Sequence, residues 1–171
     1  LAGENRISCW SIDHDSGRLK HLKDTEVNDR PAPLAADLDN SLLFVGRRDL
    51  PCVTSYRFNS LTGDLTHVDD GPKLHGDPCY ISLDKTNKYI LSAYYEAGAV
   101  SVHSNNEGIF TGEKVWMQTG NGAHCIFTDS DNSHALLPHI AGERGINTIL
   151  KYDFNEDTGM LSPSEREFVK Q

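Results

Sequence analysis

The sequence predicts an all-β fold, a β-propeller of four-stranded antiparallel blades, with three to four blades in residues 1–171. Three observations carry this. Asp37, Asn40 and Leu42-Leu43-Phe44-Val45-Gly46 return as Asp84, Asn87 and Tyr89-Ile90-Leu91-Ser92-Ala93, and again as Asp129, Asn132 and His134-Ala135-Leu136-Leu137-Pro138. The Asp-to-Asp steps are 47 and 45 residues. A second motif rides between the copies: Ser16-Gly17-Arg18-Leu19 recurs as Thr62-Gly63-Asp64-Leu65 and Thr158-Gly159-Met160-Leu161, with a degenerate copy at Glu107-Gly108-Ile109-Phe110. A fixed period in the mid-forties, made of short strands and polar turns, marks one propeller blade per repeat.

The elements follow in order. Ile7 to Ile12 alternates apolar and small residues, as a strand does, and Asp13 to Gly17 is its turn. The chain then returns from Leu19 to Leu22 as an edge strand. The same plan reads at Val53 to Phe58 with a return from Leu65 to Val68, and at Thr148 to Phe154 with the turn Asn155 to Gly159. Glycine supplies the positive φ of such turns, and Asp or Asn bonds its own backbone there. Between these hairpins, Pro33 to Ala36, Cys79 to Leu83 and His124 to Thr128 read as innermost strands, each ahead of a repeat Asp. Helical composition is confined to the short segment Ser164 to Phe168. With no linker or break in composition, residues 1–171 read as one continuous blade array. A ring needs about 4–8 blades, so this array is expected to need further blades or a second chain over its open blade faces.

The formal charge of −9 argues against a general nucleic-acid or anionic-membrane binder, because both require a basic surface. It leaves room for a small anion held by one or two arginines. No apolar run approaches the ~20 residues of a membrane-spanning helix. Cys9, Cys52, Cys79 and Cys125 form no C-x-x-C pair, and they read as small buried hydrophobes of a reducing, cytoplasmic compartment.

Position singles out the candidates for chemistry. Ala32, Cys79 and His124 each stand five residues before a repeat Asp, at the rim of the channel; only His124 brings an acid/base group that works near neutral pH. The competing role is a strand histidine bonded to a neighbouring blade. Arg47 and Arg48 close the strand after Gly46, where a guanidinium fork suits phosphate or carboxylate. Neighbours on a strand face opposite ways, so at most one of them serves a common site. Tyr94-Tyr95-Glu96 and Pro138-His139 occupy the equivalent loops of the next two blades. Tyr95, Glu96 and His139 are therefore substrate-binding candidates, with inter-blade packing as the competing role of Tyr95 and His139. There is no G-x-S-x-G elbow, Gly120-Asn121-Gly122 has no helix after it, and His134 and His139 lack a helical metal-ligand spacing. No metal or cofactor is expected.

These residues resemble the seven-bladed β-propeller lactonase family, which includes the bacterial 6-phosphogluconolactonases. The resemblance lies in Leu43-Phe44-Val45-Gly46-Arg47-Arg48, in Asp77-Pro78-Cys79-Tyr80-Ile81-Ser82-Leu83-Asp84 and in Ala97-Gly98-Ala99-Val100-Ser101-Val102. Gly122-Ala123-His124-Cys125 leading to Asp129, then Leu137-Pro138-His139, is its most specific part. It covers nearly the whole chain but only about the N-terminal half of a family member. The resemblance implies hydrolysis of a sugar-acid lactone, 6-phosphogluconolactone to 6-phosphogluconate, in the oxidative pentose phosphate route, with a small anionic substrate. It also implies that His124 and Arg48 lie at the site. A further Arg-His pair of a later family blade has no match here, and Tyr94 and Glu96 stand where the family often has Asn. The same fold also hosts carboxymuconate-cyclising enzymes and non-catalytic binding platforms, which remain the alternatives.

Overall fold

The computed structural model describes residues 2–164. Apart from a 3₁₀ turn at Ala2–Glu4, its regular structure is β, in one two-stranded and three four-stranded antiparallel sheets. The first sheet pairs β1 (Arg6–Ile12) with β2 (Leu19–Glu26). The next three are β3 (Pro31–Asp37), β4 (Leu42–Arg47), β5 (Cys52–Phe58) and β6 (Leu65–Asp70); β7 (Tyr80–Leu83), β8 (Tyr89–Tyr94), β9 (Ala99–Asn106) and β10 (Ile109–Gln118); and β11 (Phe127–Thr128), β12 (His134–Pro138), β13 (Ile149–Asn155) and β14 (Met160–Pro163). Each four-stranded sheet is an up-and-down meander, one blade per repeat. No helix among the described residues is long and apolar enough to cross a membrane. Residues 165–168 of the helix-like segment lie outside the described residues.

The repeat Asp organises the turn after each innermost strand. Asp37 accepts from the Asn40 amide N–H and side-chain Nδ2, at 3.0 and 2.7 Å. Asp84 accepts from the Tyr89 and Thr86 amides, and Asp129 from the Ser133 and His134 amides. The outer turns are built alike in three blades. Asp13, Asn59 and Asn155 each accept from the amides two and three residues on. The glycine that follows, at φ 69°, 75° and 74°, donates its N–H back to the carbonyl of that same Asp or Asn. Such φ values carry a steric cost for any residue with a Cβ. The fourth copy differs: Glu107 and Gly108, both at positive φ, make a two-residue hairpin between β9 and β10.

The core lies between blades. Along β8, Tyr89, Leu91 and Ala93 pack toward the β11–β14 blade, and Ile90 and Tyr94 toward the β3–β6 blade. All six residues are buried because this blade is covered on both faces. Along β4, Leu42 and Phe44 face the middle blade, whereas Leu43 and Val45 face the β1–β2 hairpin. Burying each large side chain contributes about 1.5–3 kcal/mol. Polar links add register: Asn132 accepts from the Lys85 amide at 3.0 Å and donates to Asp84 and Glu156 in the next turns. Ser82 Oγ donates to the Ile126 carbonyl at 2.6 Å.

One expectation needs adjustment. The strand expected over His124 to Thr128 shrinks to Phe127–Thr128, because the carbonyls of Ala123, His124 and Ile126 face Cys79 and Ser82 of the previous blade instead of a strand ladder. The array holds three full blades and one half blade, within the expected three to four. The turn type identifies β1 and β2 as the two outer strands of that half blade, and among the described residues β1 pairs with β2 alone. Beside it runs an apolar groove of ≈ 360 Å³ lined by Ile7, Cys9, Trp10, Leu34, Leu43 and Leu65. Trp10 and Leu34 are 51% and 50% exposed there.

Candidate functional site

The strand-end loops after β4, β8 and β12 and the approaches to β7 and β11 meet at one end of the blades, as antiparallel pairing of Pro31 with Arg47 and of Tyr80 with Ala93 requires. Counting from the repeat Asp puts Arg47, Tyr94 and His139 at equivalent positions. All three turn toward the preceding blade. Arg47 donates to Asp29 at 2.9 Å and to Asp70 at 3.0 Å, with its side chain 14% exposed. Tyr94 is buried with its hydroxyl 2.7 Å from Ser101 Oγ, and burial pushes its pKa up to about 12. His139 is buried; its Nδ1–H donates to the Leu137 carbonyl at 3.3 Å, and Nε2 lies 3.2 Å from Thr119 Oγ1. Desolvation lowers its pKa and keeps the ring neutral.

The next equivalent position holds Arg48 and Tyr95, which turn the other way. Arg48 donates from Nε and Nη2 to Asp77 Oδ2, at 3.1 and 2.9 Å. Tyr95 is half-buried and meets the ring of exposed His124 edge-on, with centroids 6.0 Å apart and planes at 86°. Glu96 is exposed in the same β8–β9 loop. The structure thus brings Tyr95 and His124 together, keeps Arg48 one segment away, buries His139, and ties half-buried Arg47 to Asp29 and Asp70. The apolar groove at β1 shares no residue with this region.

Two supporting residues escape a reading of the sequence by residue type. The segment Asp77-Pro78-Cys79 is a splint between three blades. Asp77 holds Arg48, and the Pro78 ring lies against Gly46, where a Cβ would come within 3.1 Å of it. The Cys79 amide donates to the Ala93 carbonyl at 2.9 Å. Its thiol lies 3.3, 3.4 and 3.6 Å from the carbonyls of Ala93, Ala123 and His124. Burial raises the Cys79 pKa, so this thiol is a donor under the His124 peptide rather than a nucleophile. The signal for Cys79 was its equivalence with His124 in the repeat; Asp77 had no such signal, since its equivalent is Gly122.

An imidazole at an exposed rim, braced by an aromatic ring, can take a proton from water; a guanidinium can hold an anion. Comparison with known proteins agrees with this architecture. The model of the family "Lactonase, 7-bladed beta-propeller" matches residues 2–171. A 6-phosphogluconolactonase of Klebsiella pneumoniae is 30% identical over 161 residues, 94% of this chain and 46% of that protein. One of Cronobacter sakazakii is 31% identical over 140 residues, 81% of this chain and 41% of that protein. The periplasmic gluconolactonase of Pseudomonas aeruginosa superposes with a TM-score of 0.77 at 20% identity, over 95% of this chain and 50% of that one. A Lactobacillus plantarum protein superposes with a TM-score of 0.82 at 14% identity, over 95% and 49%. The chain therefore spans about half the length of the curated relatives it matches. With the family match running from residue 2 to residue 171 across three and a half blades, this chain belongs to the seven-bladed β-propeller lactonase family.

Proposed function

We propose that this chain contributes the His124 end of a lactonase site that opens a sugar-acid lactone, with 6-phosphogluconolactone as the substrate. The observation that carries the reading is the Tyr95–His124 contact at an exposed rim, with Arg48 held on the other side of the Asp77–Cys79 splint. Relatives named 6-phosphogluconolactonase at about 30% identity support the substrate class.

In this mechanism Arg48 engages the substrate's phosphate through a charge-assisted hydrogen bond. His124 removes a proton from water as its oxygen attacks the lactone carbonyl carbon. The tetrahedral oxyanion collapses, the bond from the carbonyl carbon to the ring oxygen breaks, and the departing alkoxide recovers the proton from the imidazolium. A sugar acid results. Tyr95 fixes the imidazole by its ring edge and presents a hydroxyl for a sugar oxygen. Further blades, supplied by a longer polypeptide or a second chain, cover the apolar groove beside β1.

The test is the rate of opening of 6-phosphogluconolactone, followed by acid release, in ring-complete protein carrying His124→Ala or Arg48→Ala. A fall of about 10²-fold or more for His124→Ala is expected of a lost general base. A rise in KM is expected for Arg48→Ala. Parent rates for both variants would refute the roles.

A further inference from the structure

The Arg48 guanidinium is not free to meet an anion on any side. Asp77 Oδ2 takes both its Nε and Nη2 protons, at 3.1 and 2.9 Å. Nη1 has no hydrogen-bond partner among the described residues, and the side chain is 36% exposed. One end of the fork is therefore fixed and the other open. Asp77 is itself held firmly: Pro78 packs on Gly46, and the Cys79 amide bonds to the Ala93 carbonyl at 2.9 Å. The backbone of Arg48 is held too, since its N–H donates to the Asp29 carbonyl at 2.8 Å. Both partners of this ion pair thus sit on anchored backbone, 29 residues apart in sequence and on adjacent blades.

We propose that Asp77 is a positioning and specificity-determining residue of the lactonase site: it orients Arg48 with Nη1 outward and cancels one positive charge where the substrate's anionic group docks. The inference rests on the reading that Arg48 meets that group. It follows that the site is less cationic than the arginine alone suggests. A dianion pays more repulsion from Asp77 than a monoanion does. At a separation of about 6 Å in a water-rich rim, the Coulomb repulsion between a dianion and a carboxylate amounts to about one factor of ten in affinity, less in salt. Orientation and charge separate by substitution. Asn at position 77 keeps an oxygen acceptor for Nε and Nη2 and removes the charge. Ala removes both.

The experiment is titration of inorganic phosphate at pH 8 into the chain and into Asp77→Asn, Asp77→Ala and Arg48→Ala, followed by calorimetry or amide shifts at low and high salt. Circular dichroism checks that each variant is folded. Asp77→Asn should bind phosphate about 3- to 10-fold more tightly at low salt, with the gain shrinking at high salt. Asp77→Ala should gain less than Asp77→Asn, because Arg48 loses its orientation. Arg48→Ala should lose the binding. Loss of binding in Arg48→Ala with no gain in Asp77→Asn overturns the role of Asp77 alone. Parent affinity in Arg48→Ala overturns the anion role of Arg48 and the functional reading with it. If the parent binds no phosphate, binding gained in Asp77→Asn supports the inference, and its absence refutes it.

Discussion

Tyr95 meets His124 edge-to-face across two blades, with ring centroids 6.0 Å apart and planes at 86°. The contact joins the loop after β8 to the lead-in of β11, between residues 29 apart in the chain. An edge-on aromatic pair adds about 0.5–1.5 kcal/mol beyond its buried area, enough to favour one imidazole orientation. Tyr95→Phe should therefore keep the imidazole placed and leave kcat of lactone opening within a few-fold of parent. Tyr95→Ala should lower kcat about tenfold by freeing the ring. Equal rates for the two variants would show that the ring contact does not act on His124. The measurement is kcat, with KM recorded separately to expose any role of the hydroxyl.

Arg47 and Arg48 are neighbours with opposite assignments. Arg47 links Asp29 and Asp70 with little exposure, and Thr54 Oγ1 also accepts from Nη1 at 3.2 Å. Removing it takes the shared cation from both carboxylates. Arg47→Ala should cost about 1–3 kcal/mol of unfolding free energy, a buried-pair loss discounted for the exposure of Asp70. Arg48→Ala, from a half-exposed pair, should cost at most about 1 kcal/mol. Urea unfolding of both variants checks the order.

Acid should destabilise the chain through two buried histidines. Desolvation lowers the pKa of His139, and also that of His103, where the Glu113 carboxylate only partly opposes it. Both folded values lie below the ordinary value of 6.5, so the unfolded chain binds more protons. Their contribution is fully present above pH 6.5 and is lost as pH falls toward the folded values. Each contributes a slope of at most about 1.4 kcal/mol per pH unit. Urea midpoints of His139→Gln and His103→Gln should fall less steeply than the parent's between pH 7 and 5. A parent curve that is flat over this range would contradict the assignment.

Gly98 closes the loop that carries Tyr95. It lies at φ 59°, and a Cβ there would stand 2.8 Å from the Gly120 carbonyl oxygen. That carbonyl belongs to backbone that cannot swing aside, since Gly120 N–H donates to the Gly98 carbonyl at 3.0 Å. Gly17 has a similar φ of 69° but nothing within 4 Å. Gly17→Ala should cost about 1 kcal/mol, the penalty of the left-handed region alone. Gly98→Ala should cost about 2–4 kcal/mol by adding a clash. Thermal unfolding of the pair isolates the difference.

The amino-acid sequence alone determined the blade plan. Asp37, Asp84 and Asp129, and the turns ending at Gly17, Gly63 and Gly159, encode local hydrogen bonds that need no distant partner, so their spacing is legible as text. The alternation along Gly46-Arg47-Arg48 likewise separates two guanidinium groups by strand geometry. What only the tertiary structure decided is how separate blades meet. Pairing of Tyr95 with His124, of Arg48 with Asp77, and of the Cys79 thiol with the His124 carbonyl depends on the packing and rotation of one sheet against the next. Burial of His139 depends on the loop of the preceding blade closing over it through Thr119. Those contacts join residues tens of positions apart whose identities carry no mutual signal in a single sequence, because non-local packing selects shape and not a motif.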